Sequence, residues 1–99
     1  MDYSKIAAKW WVDQIQGNVT EQTRNSFEKH LSFTIQQLVE RKGFLALYCD
    51  YAPCIELQSL SRFCGLDSCA LPVQAAMHIT PKKVTVFGTN NVATPIYTV

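Results

Sequence analysis

Read from the amino end, apolar residues first recur at helical intervals. Tyr3, Ile6, Ala7, Trp10, Trp11 and Ile15 form one wide stripe, the spacing of an amphipathic helix. Asp2 or Ser4 can cap its start. Gly17-Asn18 predicts its end, because both residue types accept the left-handed conformation that closes helices. Thr20 is a candidate second N-cap, with Glu21 near the positive helix end. From about Glu21 to Lys42, Phe27, Leu31, Ile35 and Leu38 share a face, with Val39 beside them. Arg24, Glu28, Lys29, Gln36 and Gln37 lie elsewhere and read as the solvating surface. Gly43 is the expected stop.

Beyond Gly43 the period changes. Phe44 to Cys49 is a short, nearly continuous apolar run, the pattern of a buried strand. Pro53 interrupts it and suits the first turn of a helix. Ile55, Leu57, Leu60, Ser61 and Cys64 continue at helical spacing up to Gly65. Alternation by two then takes over. Met77 and Ile79 oppose His78 within residues 73–80, and Val84 and Val86 oppose Thr85 within 84–87. Pro81-Lys82-Lys83 between them predicts a hairpin turn. Thr89-Asn90-Asn91 offers a further turn, and Ile96 to Val99 a final strand. The expected class is α+β: two N-terminal helices packed on a small three- to four-stranded sheet, with a third short helix between strands 1 and 2. Were those two strands parallel, the crossover through that helix would be right-handed.

Composition narrows the class. A chain of 99 residues is one domain, residues 1–99, and is long enough to bury a core without staples. Its apolar fraction of 47% and charged fraction of 17% are a globular balance. A net charge of +1 lacks the basic excess that duplex nucleic acid demands, and the acidic excess of a DNA mimic. Charges recur every few residues in "MDYSKIAAKWWVDQIQG", so no signal peptide is expected. No apolar run reaches membrane-spanning length. These features set an expectation of a cytoplasmic protein without a membrane partner, in which the cysteines are reduced thiols.

The segment "LYCDYAPC" carries the densest candidate chemistry. Cysteines at 49, 54, 64 and 69 form two C-x4-C pairs. Four thiolates could hold zinc, but structural zinc sites use tighter knuckles, and buried free thiols are the ordinary alternative. A Cys/His hydrolase would take Cys49 or Cys54 as nucleophile, His78 or His30 as base, and Asp50 or Asp67 as orienter. Cys54 falls in the expected first turn of a helix, where the dipole lowers a thiol's pKa. No nucleophile motif accompanies it, and Asp50 has a simpler role in the turn before Pro53. Trp10-Trp11 reads as one core and one boundary residue, or as an interface anchor. Lys82 and Lys83 could attract a phosphate or simply solvate a hairpin turn. No glycine-rich phosphate loop is present, so classical nucleotide hydrolysis is not expected; no cofactor is expected either.

Three stretches resemble small uncharacterised proteins from prophages and mobile elements of gut Firmicutes. They are the opening "MDYSKIAAKWWVDQI", the strand-to-helix "CDYAPCIELQSLSRFCGL" and the closing "LPVQAAMHITPKKVTVFGTNNVATPIY". The cysteines stand outside that pattern, and Ala52 stands where the pattern has glycine. The resemblance implies a phage setting, in which small accessory proteins often neutralise host defence by binding. Three functions follow as expectations. The first is a non-enzymatic binding protein, an anti-defence inhibitor that blocks a host immune protein such as a CRISPR effector. The second is an oligomer that sequesters a nucleotide immune signal, stacking its base on Tyr and Trp and meeting its phosphates with Lys82, Lys83 or Arg62. The third is a cysteine-dependent enzyme. The expected binding residues are Trp10, Trp11, Tyr48, Asp50, Tyr51, Cys54, Arg62, Lys82 and Lys83, with no catalytic or metal-ligating set.

Overall fold

The computed structural model describes residues 2–88 and 92–99. The turn expected at Thr89-Asn90-Asn91 lies outside them. Along the chain run α1 (Tyr3–Asp13), α2 (Glu21–Lys42), β1 (Leu45–Asp50), α3 (Ile55–Cys64), a 3-10 turn (Ser68–Ala70), β2 (Gln74–Thr80), β3 (Lys83–Phe87) and β4 (Ala93–Thr98). This is the expected α+β order with a fourth strand.

Helix α1 is capped by Asp2, whose carboxylate accepts from the Ser4 N–H at 3.1 Å. It ends at Asp13, before the Gly17-Asn18 stop read from the sequence. The reason is tertiary. The Arg24 guanidinium donates to the carbonyls of Val12 (3.3 Å) and Ile15 (3.4 Å), satisfying groups that a continuing helix would have used. The Gln16 N–H meets the Ala70 carbonyl at 2.9 Å, and Ile15 turns into the core. Arg24 is therefore a clamp between α1 and α2 rather than a solvating residue. Helix α2 matches its expected span. Thr20 Oγ1 accepts from the Thr23 N–H at 3.2 Å. At the far end Gly43 adopts φ 87°, and its N–H returns to the Val39 carbonyl at 2.7 Å, an αL stop that costs other residues strain.

The sheet has the order β1-β2-β3-β4, every pair antiparallel. The conditional parallel crossover does not occur. Helix α3 carries the chain away from the end of β1, and residues 65–73 bring it back to the same end, so Asp50 pairs with Gln74 and Leu45 with Ile79. The hairpin turn is Pro81-Lys82 alone, since Lys83 already pairs with Thr80 and Thr98.

All helices lie on one side. Helix α1 packs on β2, β3 and β4, α2 packs on α1 and β1, and α3 packs on α2. Leu47, Met77, Ile79 and Val84 from the sheet meet Trp11, Phe27, Leu31, Ile35 and Leu57 from the helices, all essentially free of solvent. Period-two alternation thus separates an inner apolar face from an outer one.

Candidate functional site

The strand-to-helix junction after β1 differs from its sequence reading in a way that matters for chemistry. Pro53 does not open the helix. It turns back along the free edge of β1 and bridges to Cys49, while the Cys54 N–H donates to the Tyr48 carbonyl at 2.9 Å. Helix α3 begins at Ile55, and Cys54 is its N-cap.

Cys54 is only 4% exposed, and burial raises its thiol pKa, with backbone groups of Tyr48 and Leu57 partly opposing. Cys49 is pushed up to about 11, first by burial and then by the neighbouring Cys54. The expectation of an activated, ligand-facing Cys54 is corrected on both counts: desolvation outweighs the helix dipole. Cys64 accepts a hydrogen bond from the Ser26 hydroxyl at 3.7 Å, and Cys69 is exposed.

Neither histidine has a hydrogen bond to a thiol among the described residues, although His30 and Cys64 share Ser26 as a partner. His30 Nδ1 lies 2.8 Å from the Ser26 carbonyl, which makes that nitrogen the protonated one, and the ring packs against Phe63 with centroids 5.0 Å apart. His78 is on the outer face of the sheet against Phe87, whereas Cys49 points inward. Among the described residues no three His, Cys, Asp or Glu side chains are grouped to hold a metal ion.

Trp11 is fully buried, so its reading as an interface anchor is corrected as well. It stands edge-on to the half-buried Trp10 with centroids 5.0 Å apart, and its buried Nε1 has no hydrogen-bond partner among the described residues. The remaining candidates separate into distinct places. Lys82 and Lys83 lie at the β2–β3 turn, Arg62 is exposed on α3, and Tyr48, Asp50 and Tyr51 are at the opposite end of the sheet from the lysines. The six residue steps of β2 from Gln74 to Thr80 span roughly 20 Å. The lysines therefore share no pocket with Tyr48 or Tyr51, whereas Arg62 lines a small hollow with Gln58, which also lines the cleft at Tyr51.

What remains together is the apolar end beside β1. Tyr51 has φ 62°, the one non-glycine residue with positive φ among those described, and its side chain is 80% exposed. The surrounding backbone imposes this conformation. The Tyr51 N–H donates to the Val73 carbonyl at 2.8 Å, and the Asp50 N–H to the Ala52 carbonyl at 3.1 Å. Gln58 Nε2 pins the Pro53 carbonyl at 2.8 Å. Between the two chain segments lies an open cleft of about 410 Å³, walled by Tyr51, Pro53, Leu71, Pro72 and Val73. Val73 opens the strand segment expected over 73–80 yet is 63% exposed; the one sequence signal for its role is its place beside Leu71-Pro72. Tyr48 and Asp50 point elsewhere, onto the outer sheet face.

Fold and site together define a two-layer α+β domain with an exposed aromatic cleft. No protein-family model matches the chain, and no curated protein matches it. No described helix is long and apolar enough to cross a membrane.

Proposed function

We propose that this is a non-enzymatic binding protein that docks on a protein partner through the Tyr51–Val73 cleft. The carrying observation is Tyr51 itself: a bulky aromatic held in the left-handed region with its ring in solvent. Such a conformation costs stability unless something else gains from it, and exposed tyrosines are favoured anchors in protein interfaces. The cleft sets the polar Gln58 and Cys69 among apolar walls and has no cation among its described lining residues, which favours a protein surface over a phosphorylated ligand. The resemblance to prophage proteins suggests the finer reading, an inhibitor that blocks a host defence protein such as a CRISPR effector.

The test uses hosts each carrying one defined defence effector, with phage plating as readout and binding of the purified effector measured in parallel. The intact protein is expected to restore plating against at least one effector and to bind it. Tyr51→Ala is expected to lose both while keeping its circular dichroism spectrum. Unchanged inhibition by Tyr51→Ala would remove the cleft from the reading. No rescue across the panel would remove the anti-defence role.

A further inference from the structure

The outer face of the sheet is not used by that cleft, and its composition is unusual for a surface that meets only water. Register places its side chains in rows. Tyr48, Ala76, Phe87 and Ala93 form one, Ala46, His78, Thr85 and Pro95 the next, and Thr80, Lys83 and Thr98 the last, with Asp50 and Gln74 at the opposite end. No helix covers these positions, and all are exposed or half-exposed. Yet the charged residues are only Asp50 and Lys83, one at each end. The middle is alanine, threonine and proline, with Tyr48 and the packed pair His78–Phe87 standing above it. Between Tyr48 and Phe87 the small Ala76 leaves a hollow of about 320 Å³. A solvated antiparallel face ordinarily alternates apolar-in with polar-out; this one has the bumps and hollows of a sheet-packing surface.

We propose that the outer face binds a second copy of the chain, face to face. The end-to-end charge pattern selects this occupant. Asp50 ends β1 and Lys83 begins β3, so the two charges lie on a diagonal of the face. A two-fold axis lying in the interface perpendicular to that diagonal sets each copy's Asp50 over the other copy's Lys83, and both charges are then matched by one self-complementary contact. The other common route to a sheet dimer, edge pairing, is obstructed. Residues 52–54 fold over the end of β1 through the Cys54-to-Tyr48 hydrogen bond, and the free edge of β4 contains Pro95. Tyr51 and Val73 lie off this face, so dimerisation leaves the proposed partner cleft open and stands independently of it.

Four strands at about 4.8 Å spacing and six residues at about 3.4 Å give a face roughly 19 by 20 Å. That is small for a specific interface, so the dimer should be sought at tens to hundreds of micromolar. Sedimentation equilibrium of the full chain over that range is expected to show mass rising toward twice 11.2 kDa. Ala76→Arg, which fills the hollow with a charge, is expected to hold the protein monomeric. Asp50→Lys, which sets lysine against lysine, is expected to raise the dimer dissociation constant at least tenfold. Adding Lys83→Asp to Asp50→Lys is expected to restore it. A monomer throughout the range overturns the proposal, as does a dimer indifferent to Ala76→Arg. A dimer weakened by Asp50→Lys but not rescued by the double exchange overturns the end-swapped arrangement. Should Ala76→Arg fail to fold, as judged by circular dichroism, the exchange pair still decides the question.

Discussion

The αL conformation of Tyr51 makes a prediction whose sign is opposite to the usual one. For an L-residue the left-handed region costs roughly 1–2 kcal/mol, from contact between Cβ and the backbone. Glycine escapes that contact, but elsewhere it costs about 0.5–1 kcal/mol relative to alanine through its larger unfolded-state freedom. The tyrosine ring is 80% exposed, so removing it sacrifices little burial. Tyr51→Ala keeps the strain and loses the ring; its stability should stay within about 0.5 kcal/mol of the parent protein. Tyr51→Gly loses ring and strain together, and should be more stable than Tyr51→Ala by about 1 kcal/mol. For a domain of this size that is about 4–8 °C in Tm. Urea and thermal unfolding of both variants, followed by circular dichroism, give the comparison directly. An alanine variant as stable as the glycine variant, or more so, would show that residue 51 is not held at positive φ. The carrying observation for the cleft would then be gone. If the order is as expected and both variants lose partner binding, the strain is a cost retained for the sake of the ring.

Three further outcomes test the rest of the structure. Trp11→Ala should cost about 3–5 kcal/mol, the range for emptying a fully buried aromatic site, whereas Trp10→Ala, at the half-buried neighbour, should cost clearly less in the same urea titration. Arg24→Ala removes both hydrogen bonds to the carbonyls at the end of α1; a loss of about 1–3 kcal/mol, with hydrogen exchange rising first in residues 11–16, would mark it as the clamp described. The buried thiols make a paired prediction. In the native protein at neutral pH, Cys69 should react with a thiol reagent while Cys49 and Cys54 stay silent. Because the unfolded Cys49 ionises near 9.0 and the buried one only at about 11, the unfolded state loses its proton first. Stability should be level below pH 9 and fall between 9 and 11, by roughly 2–3 kcal/mol from this residue. Cys49→Ala should flatten that part of the profile, and an unchanged profile would show that Cys49 is not the group responsible.

How much of this was legible in the sequence depended on whether the deciding contact was local. Helix α2 was readable because its signals lie within its own span: Thr20 before it, a stripe of Phe27, Leu31 and Ile35, and Gly43 after it. The end of α1 was not, because it is set by Arg24, from the next helix, reaching its last carbonyls. The alternation in β2 and β3 showed which residues share a face. It could not show that α3 and its return segment would bring the chain back beside β1 in the antiparallel sense. Trp10 and Trp11 were recognisable as one core and one boundary residue. Which is which depends on where the sheet lies relative to α1, and that is a property of the assembled layers.

The same division explains the two surfaces. In "LYCDYAPC" the sequence advertises cysteines, and local rules place Cys54 at a helix start where a thiol is activated. The fold buries that thiol and exposes Tyr51 instead, because residues 52–54 pair with the edge of β1 and force the reversal into residue 51. No residue preference would have placed αL at a tyrosine. The outer sheet face is the converse case. Its members were all visible in the alternation, but alanine, threonine and proline facing outward carry no message until every helix is known to lie on the other side. Only then does the absence of long charged side chains between Asp50 and Lys83 become a property of a surface rather than of a composition. One surface arises from strain imposed by neighbours and the other from charges that were left out, and each leads to its own variant: Tyr51→Gly for the first, the Asp50–Lys83 exchange for the second.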